Sequence, residues 1–471
     1  MSKKEKNFSV IILAAGQGTR MKSPLPKVLH PVAGRPMIER IVSAVQKAGA
    51  EEVRVVVGHG ENLVRQVVEP LGATCLKQEK QLGTADAVKA AQPESMRGTV
   101  LILSGDHPLI TTEDVQKIME SHFDGKRKFS LVTVTLDNPG QYGRVVRHKG
   151  FIQAIVEAKD ASSETLKIKE VNPSIYVLDV DLLNAYLPKI DNHNAQQEFY
   201  FTDMVSLCRE DNIEVEAIRA PEHVGFGVNT QRELAEATQR VFRRNANRLM
   251  DEGVVIIDPS STYIEDSVSV GKASVIYPGS YLLGQTQIGS FCVIEPNCFI
   301  ARSRIGDSVQ IKAGSYVESS QILDKAKVGP YARIRGGGQI GEECEIGNFV
   351  EVKNSSFGKK SKAKHLAYLG DAEVGEETNV GCGVITCNYA VDRKKYVTKI
   401  GKGVFVGSDV QFVAPVSIGD EAIIGSGSTI TKDVPAKALA IARGRQFIKE
   451  NYQPQSPQQS EEEKSKESKE G

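Results

Sequence analysis

The sequence predicts two architectures in one chain: an α/β domain with a mostly parallel, doubly wound sheet, then an all-β parallel β-helix. Three observations carry this reading. Residues 8–229 alternate β-rich runs with helical patterns, residues 230–252 form one amphipathic helix, and from about residue 254 aliphatic side chains recur every six positions.

In the first region the runs "FSVIILAAG", "EVRVVVG", "TVLILSGD" and "FSLVTVTL" read as strands, with helical patterns at Pro36–Ala48, Asn62–Glu69 and Thr84–Ala91 between them. Lys3, Lys4 and Lys6 before an apolar run imitate a secretory signal. The run Val10–Ala15 is short and breaks at once into glycines, so a buried parallel strand is the better reading. Leu234, Val241, Phe242 and Leu249 mark the apolar side of the 230–252 helix, a connecting rod that ends at Gly253.

Beyond it, Val270, Ile276, Leu282, Ile288, Ile294 and Ile300 keep a strict hexapeptide period. After a one-residue slip come Ile305, Ile311 and Val317, and after another Ile322 through Val352. A last run extends from Ile400 to Ile430. Each repeat supplies one short wall whose aliphatic side chain enters a narrow stacked core. Two stretches are expected to break the period as loops, residues 358–371 and 387–399. The polar segment 453–471 reads as a disordered tail. The domains are therefore expected at 1–229, 230–252 and 253–452.

Composition narrows the function classes. Lys+Arg and Asp+Glu balance at 59 each, against a broad nucleic-acid footprint. No apolar stretch is long enough to cross a bilayer, so no membrane insertion is expected. The seven cysteines form no C-x-x-C pair and read as thiols of a reducing cytoplasm.

The chemistry begins at "VIILAAGQGTRMKSPLPKVL". Gly16 and Gly18 after a strand let backbone amides approach a phosphate chain, and Arg20 and Lys27 can neutralise its charge. "LSGDHPL" places Asp106 at the end of a buried strand, where a carboxylate can hold Mg2+ for phosphoryl chemistry. Glu157 and Asn229 add oxygen-bearing side chains in loops.

Together these residues resemble one family, the bacterial bifunctional N-acetylglucosamine-1-phosphate uridyltransferase and glucosamine-1-phosphate N-acetyltransferase, over residues 8–450. The resemblance implies a Rossmann-like nucleotidyltransferase domain and a left-handed β-helix of hexapeptide repeats. It implies UTP contacts at Leu13, Ala14, Gly16, Arg20, Lys27, Gln78, Gly83 and Thr84. It implies Mg2+ held by Asp106 and Asn229, and N-acetylglucosamine 1-phosphate held by Gly143, Glu157, Asn172, Tyr200 and Thr202. The ionised sugar phosphate would attack the α-phosphate of UTP, so positioning and charge neutralisation carry that step.

For the second activity the resemblance makes His365 the general base for acetyl transfer from acetyl-CoA to the C2 amine of glucosamine 1-phosphate. An unperturbed imidazole suits that role near neutral pH. Arg335, Lys353, Tyr368, Asn379 and Lys395 match the sugar-phosphate positions. Cys382, Asn388, Tyr389, Ser408, Ser426 and Arg443 match the acetyl-CoA positions. The family assembles as a homotrimer and makes UDP-N-acetylglucosamine for cell-wall precursors.

The chain departs from the family pattern in places. Asn172-Pro173-Ser174 stands for Asn-Thr-Gly, and Ser104-Gly105-Asp106 for Tyr-Gly-Asp. Arg335-Gly336-Gly337 stands for Arg-Pro-Gly, and Asn388-Tyr389-Ala390-Val391 for Asn-Tyr-Asp-Gly in a loop one residue longer. Cys382 and Ser426 stand where alanine is common. A rival reading is a single-activity sugar-phosphate nucleotidyltransferase with a structural or regulatory β-helix. The histidine-bearing segment weighs against it. An inert trimeric scaffold is disfavoured by the intact Gly16–Lys27 loop.

Overall fold

A computed structural model describes residues 7–453. Lys3, Lys4, Lys6 and the expected tail beyond Gln453 lie outside the described residues. The chain separates into two compact units, Met1–Ser290 with Phe299–Arg302, and Phe291–Cys298 with Ser303–Gly471.

The first unit is built on a mixed sheet. Strands Thr74–Lys77, Glu52–Val57, Phe8–Ala14 and Thr99–Ser104 lie side by side and parallel. Tyr176–Asp179 then runs antiparallel to Thr99–Ser104 and to Phe129–Thr135. Glu170–Asn172, Gly143–His148 and Phe151–Val156 complete the far edge. The central strand shows why the run 8–14 is apolar throughout. Val10, Ile12 and Ala14 pack into one core, while Ile11 packs into a second on the opposite face. A strand covered on both faces has no use for alternation.

The expected helices appear at Met37–Lys47, Glu61–Val68 and Thr84–Ala90. The long helix, Gln231–Asp251, opens on a capping box between Thr230 and Glu233. Its chain turns at Gly253, where φ is +94°. Rather than a free rod, it packs Ala237 and Val241 against Val32, Met37, Leu109 and Val228. The first β-helical coils join the same unit. Phe242 meets Tyr263 edge-on at 5.5 Å, and the buried Arg40 guanidinium grips Asp266 with contacts of 2.5 and 3.2 Å. The compact unit therefore runs past 253 to Ser290, because these contacts fasten the first coils to the helix and the sheet.

The hexapeptide positions behave as expected. In both units the recurrent aliphatic residues, from Val270 to Ile430, are buried. Parallel partners are mostly 18 residues apart in the first unit, as Tyr263 opposite Tyr281, and mostly 17 or 18 apart in the second, as Gln310 opposite Lys327. The end coils depart from this, as Val255 opposite Val275 and Ile423 opposite Leu439. Most coils are made of three short strands, while in two of them Glu345–Lys353 and Lys362–Gly370 run unbroken as nine-residue strands. The corners use left-handed backbone, for example at Tyr331, Phe349 and Leu366, each following its neighbour by one coil.

One expectation is corrected. Residues 358–371 are not a period-breaking loop. Lys362–Gly370 is a nine-residue strand in the parallel ladder, with His365 opposite Asn348 and Tyr368 opposite Glu351. The inward positions continue through Phe357, Ala363 and Leu369, all buried. Ala363 is too small to register in a search for large aliphatic side chains. The 387–399 stretch is a true insertion: Asn379 pairs with Phe405, 26 positions on, where neighbouring coils need 17 or 18. Among the described residues no helix is long and apolar enough to cross a membrane, and no cysteine is in a disulfide.

Candidate functional sites

In the first unit the carboxyl ends of three adjacent parallel strands converge. Phe8–Ala14 delivers the glycine loop, Glu52–Val57 delivers Gly58, and Thr99–Ser104 delivers Asp106. The Gly105 amide donates to the Leu13 carbonyl at 2.8 Å, which fixes the carboxylate loop beside the glycine loop. Gly18 has φ of +63°, and a Cβ there would stand 2.6 Å from Lys27 Cβ. Its absence lets Lys27 fold back across the loop. Gly16 has no neighbour within 4 Å of a built Cβ and opens onto the cavity.

That cavity, about 350 Å³, is lined by Leu13, Ala14, Gly16, Lys27, Gln78, Gly83, Thr84 and Asp106. These are seven of the eight expected UTP positions, with one expected metal position. The eighth, Arg20, lines a neighbouring cavity with Glu157. Gln78 donates to Asp86 Oδ2 at 2.7 Å and to the Gly83 carbonyl at 3.3 Å. Gly83 has φ of +125°, and a Cβ would strike the Phe199 backbone at 2.5 Å. Thr84 Oγ1 accepts the Phe201 amide at 2.9 Å, which ties this side of the cavity to the segment carrying Tyr200 and Thr202.

The charged centre is compact. Lys27 Nζ donates to Asp106 Oδ2 at 2.6 Å and to Asn229 Oδ1 at 3.0 Å, and Arg20 donates to the same Asn229 oxygen at 2.9 Å. The Asp106 carbonyl accepts the Val228 amide at 2.9 Å, which locks the two oxygen-bearing loops together. Burial alone would raise the Asp106 carboxyl, but the Lys27 ammonium with His107 overrides it and holds the group well below the usual range. Asp106 Oδ1 is buried without a hydrogen bond.

His107 was quoted in the sequence motif but given no role there. Its Nδ1 lies 3.2 Å from Asp106 Oδ1, yet the alignment makes no hydrogen bond, and both ring nitrogens are unpartnered. Burial, assisted by Lys27, lowers the pKa of the ring against the pull of the Asp106 carboxylate.

Several of the residues expected to hold the sugar phosphate also meet. Thr202 Oγ1 donates to Glu157 Oε1 at 3.3 Å, and a Cβ on Gly143 would approach that oxygen to 3.3 Å. Burial raises the Glu157 carboxyl, with Asp160, Asp203 and Glu198 adding to the effect. Asn172 is buried, donates to the Tyr176 hydroxyl at 2.7 Å and accepts the Ser174 amide at 2.9 Å. Ser174 therefore stands in left-handed backbone, φ +60°, where the family's glycine fits without strain. It lines the same cavity as Gly16 and Lys27. The Tyr200 hydroxyl accepts Gln196 Nε2 at 2.6 Å.

In the second unit, the one-coil steps of the ladder bring His365 beside Asn348 on one side and Cys382 on the other. Ser408 and Ser426 continue this corner: the Ser408 amide donates to Ser426 Oγ at 3.1 Å, and Arg443 donates to the Ser426 carbonyl at 2.9 Å. Four of the six expected acetyl-CoA positions thus form one column with the histidine. His365 is exposed, and its Nδ1 lies 2.9 Å from Asn348 Oδ1, which leaves Nε2 outward.

Arg335, Lys353 and Gly370 are successive partners on the next wall, with Tyr368 beside them. Arg335 is engaged by Glu351 at 2.6 Å. Gly370 is a flat cradle, since a Cβ there would lie 2.5 Å from the Tyr368 hydroxyl and 2.9 Å from Asn388 Nδ2. Asn379 belongs to the other wall, between Lys362 and Phe405. Tyr389 and Lys395 bridge each other within the inserted loop, exposed. Asn388, at the base of that loop, is buried against Asp371, a residue that sequence reasoning missed.

A strand-loop phosphate cavity with a lysine-carboxylate centre, followed by a hexapeptide β-helix with an exposed histidine, defines a nucleotidyltransferase joined to an acyltransferase. Residues 10–168 match the MobA-like NTP transferase domain, and residues 398–432 match the bacterial transferase hexapeptide (six repeats). The chain is 60% identical to the bifunctional protein GlmU of Bdellovibrio bacteriovorus, over 94% of this chain and 97% of that one. It is 46% identical to the same-named protein of Geobacillus thermodenitrificans, over 94% and 96%, and 44% to that of Trichlorobacter lovleyi, over 94% and 97%. The chain belongs to the GlmU family of bifunctional enzymes, with uridylyltransferase and acetyltransferase activities.

Proposed function

We propose that the first unit transfers UMP from UTP to N-acetylglucosamine 1-phosphate and that the histidine column acetylates glucosamine 1-phosphate. The observation that carries the first assignment is the joint grip of Lys27 on Asp106 and Asn229 at the mouth of the glycine loop. Lys27 and Arg20 supply fixed positive charge where the triphosphate would lie, and no strong base is needed because the attacking phosphate is already ionised.

The residues fit a divalent cation. Asp106 Oδ1 is an orphaned anionic oxygen, and Asn229 Oδ1 adds a hard neutral one. No group of three His, Cys, Asp or Glu suited to a metal occurs among the described residues, so phosphate oxygens and water would complete the shell, as Mg2+ prefers. When bound, the ion neutralises charge developing on the transferred phosphate. Gly143, Glu157, Asn172, Tyr200 and Thr202 would hold the sugar.

For acetyl transfer, His365 Nε2 would take the ammonium proton while Asn348 holds the ring. Cys382, Ser408, Ser426 and Arg443 would follow the pantetheine arm of acetyl-CoA along the column, with Asn388 and Tyr389 at its inner end. Arg335, Lys353, Tyr368, Asn379 and Lys395 would hold glucosamine 1-phosphate. These residues straddle a convex corner, with Asn379 on one wall and Lys353 on the next. Neighbouring copies in a homotrimer would close this edge into a pocket. Thiols outside any disulfide suit work in the cytoplasm.

The test is one incubation of the purified chain with glucosamine 1-phosphate, acetyl-CoA, UTP and Mg2+, with products identified by mass. UDP-N-acetylglucosamine and pyrophosphate should form. Excess EDTA should stop nucleotide transfer and spare acetylation. Light scattering should return three chain masses, and a monomer active in acetyl transfer would defeat the shared pocket.

A further inference from the structure

Asn354, Asp371 and Asn388 form a vertical stack at one corner of three successive turns, 17 residues apart at each step. Asp371 is buried, in left-handed backbone at φ +50°. One carboxylate oxygen accepts Asn354 Nδ2 at 2.6 Å and the other accepts Asn388 Nδ2 at 2.5 Å. The chemistry fixes the orientation of both amides, because a carboxylate can only accept and an amide donates only through nitrogen. For Asn388 this leaves Oδ1, an acceptor, as the unpaired end. The Asn388 side chain reaches the Gly370 cradle with Nδ2, beside the Tyr368 hydroxyl and among the acetyl-transfer residues, and Oδ1 is the end of that amide free for a ligand.

We propose that Asp371 is a positioning residue for acetyl transfer: it turns the Asn388 amide so that Oδ1 accepts an N–H from the C2 nitrogen of glucosamine 1-phosphate. This rests on the assignment of that sugar to the histidine column. The C2 ammonium of the arriving sugar has no lone pair, can only donate, and matches Oδ1. The reversed amide would present N–H to N–H and reject it. A C2 hydroxyl can donate or accept and would tolerate either orientation. Asp371 thereby contributes to the choice of amine over alcohol without touching the sugar. The same carboxylate anchors the chain where it leaves the coil, since the Asn388 carbonyl accepts the Tyr396 amide at 2.9 Å across the inserted loop.

The experiment measures binding of glucosamine 1-phosphate and of glucose 1-phosphate to the full chain by calorimetry with CoA present. The wild type should prefer the amine, which also tests the underlying assignment independently of Asp371. Asp371→Asn keeps a side chain that suits left-handed backbone but can donate to Asn388 Oδ1. It should narrow the amine-to-hydroxyl preference about tenfold, the value of one hydrogen bond to a charged group. Asn354→Ala removes the other partner and should leave the preference unchanged. If Asp371→Asn does not fold, Asn388→Ala carries the test and should narrow the preference to the same degree. Equal weakening of both sugars in the folded variants would mean a merely structural role and overturn the proposal. So would an unchanged preference.

Discussion

Lys27 Nζ stands 2.6 Å from Asp106 Oδ2 and 3.0 Å from Asn229 Oδ1, so one ammonium ties together loops that are far apart in sequence. Lys27→Met would leave a mostly buried carboxylate without its counter-charge. The folded state should lose on the order of 3 kcal/mol, and uridylyl transfer should fall at least a hundredfold, roughly the effect of removing one preorganised charge partner. Adding Asp106→Asn should recover stability but not activity. Urea denaturation and pyrophosphate release separate the two effects.

His365 and Asn348 face each other across adjacent coils at 2.9 Å. His365→Ala should cost acetyl transfer roughly 10²–10⁴-fold, the usual worth of a general base. Most of the loss should appear in turnover. The side chain is exposed, while Ala363 and Leu369 of the same strand fill the core. Melting temperature and uridylyl transfer should therefore not move. An acetylation rate near wild type would make the histidine a bystander.

Gly83 is the point where the cavity wall beside Gln78 and Thr84 has no room for a side chain. Gly83→Ala must relieve a 2.5 Å approach to the Phe199 backbone as well as φ of +125°. Strain of about 1–3 kcal/mol is expected, with weakened UTP binding by calorimetry and intact acetyl transfer. Unaltered UTP affinity would show that the Leu82–Gly83 turn plays no part in recognition.

Asp203 supplies a pH-dependent prediction. Burial, with Asp191 and Asp160 as further causes, pushes its carboxyl up to about 6. A raised carboxyl binds its proton more tightly in the folded state, so stability from this group falls as pH rises from about 4 to about 6. Asp203→Asn removes that component. The variant should gain on the wild type across this window in urea midpoint, with a constant difference above it. A difference independent of pH would mean that Asp203 titrates normally.

The first domain was legible because local chemistry and global fold agree there. An all-apolar run such as Val10–Ile12 suits only a strand covered on both faces, and the glycine loop at its end needs no distant partner to be recognised. The hexapeptide period was equally direct, since the inward positions of a core one side chain wide are apolar almost throughout, Thr386 being buried there only with its hydroxyl bonded to the Gly370 backbone. Its limit was Ala363, where a small residue hid a continuous strand and made His365 look like part of a loop.

What the sequence by itself determined is therefore the order of elements, the repeat and the residue types of both sites. Tertiary structure alone decided which of those residues meet. Arg20, Lys27, Asp106 and Asn229 share one centre because the sheet and the 228–229 segment close on each other. His107 and Asp371 acquired significance only from burial and neighbours, which one-dimensional spacing does not carry. Asn354, Asp371 and Asn388 are remote in sequence and adjacent in space because each coil returns the chain to the same corner. Periodicity fixes that a coil exists, while the hydrogen bonds between coils fix which polar groups it stacks.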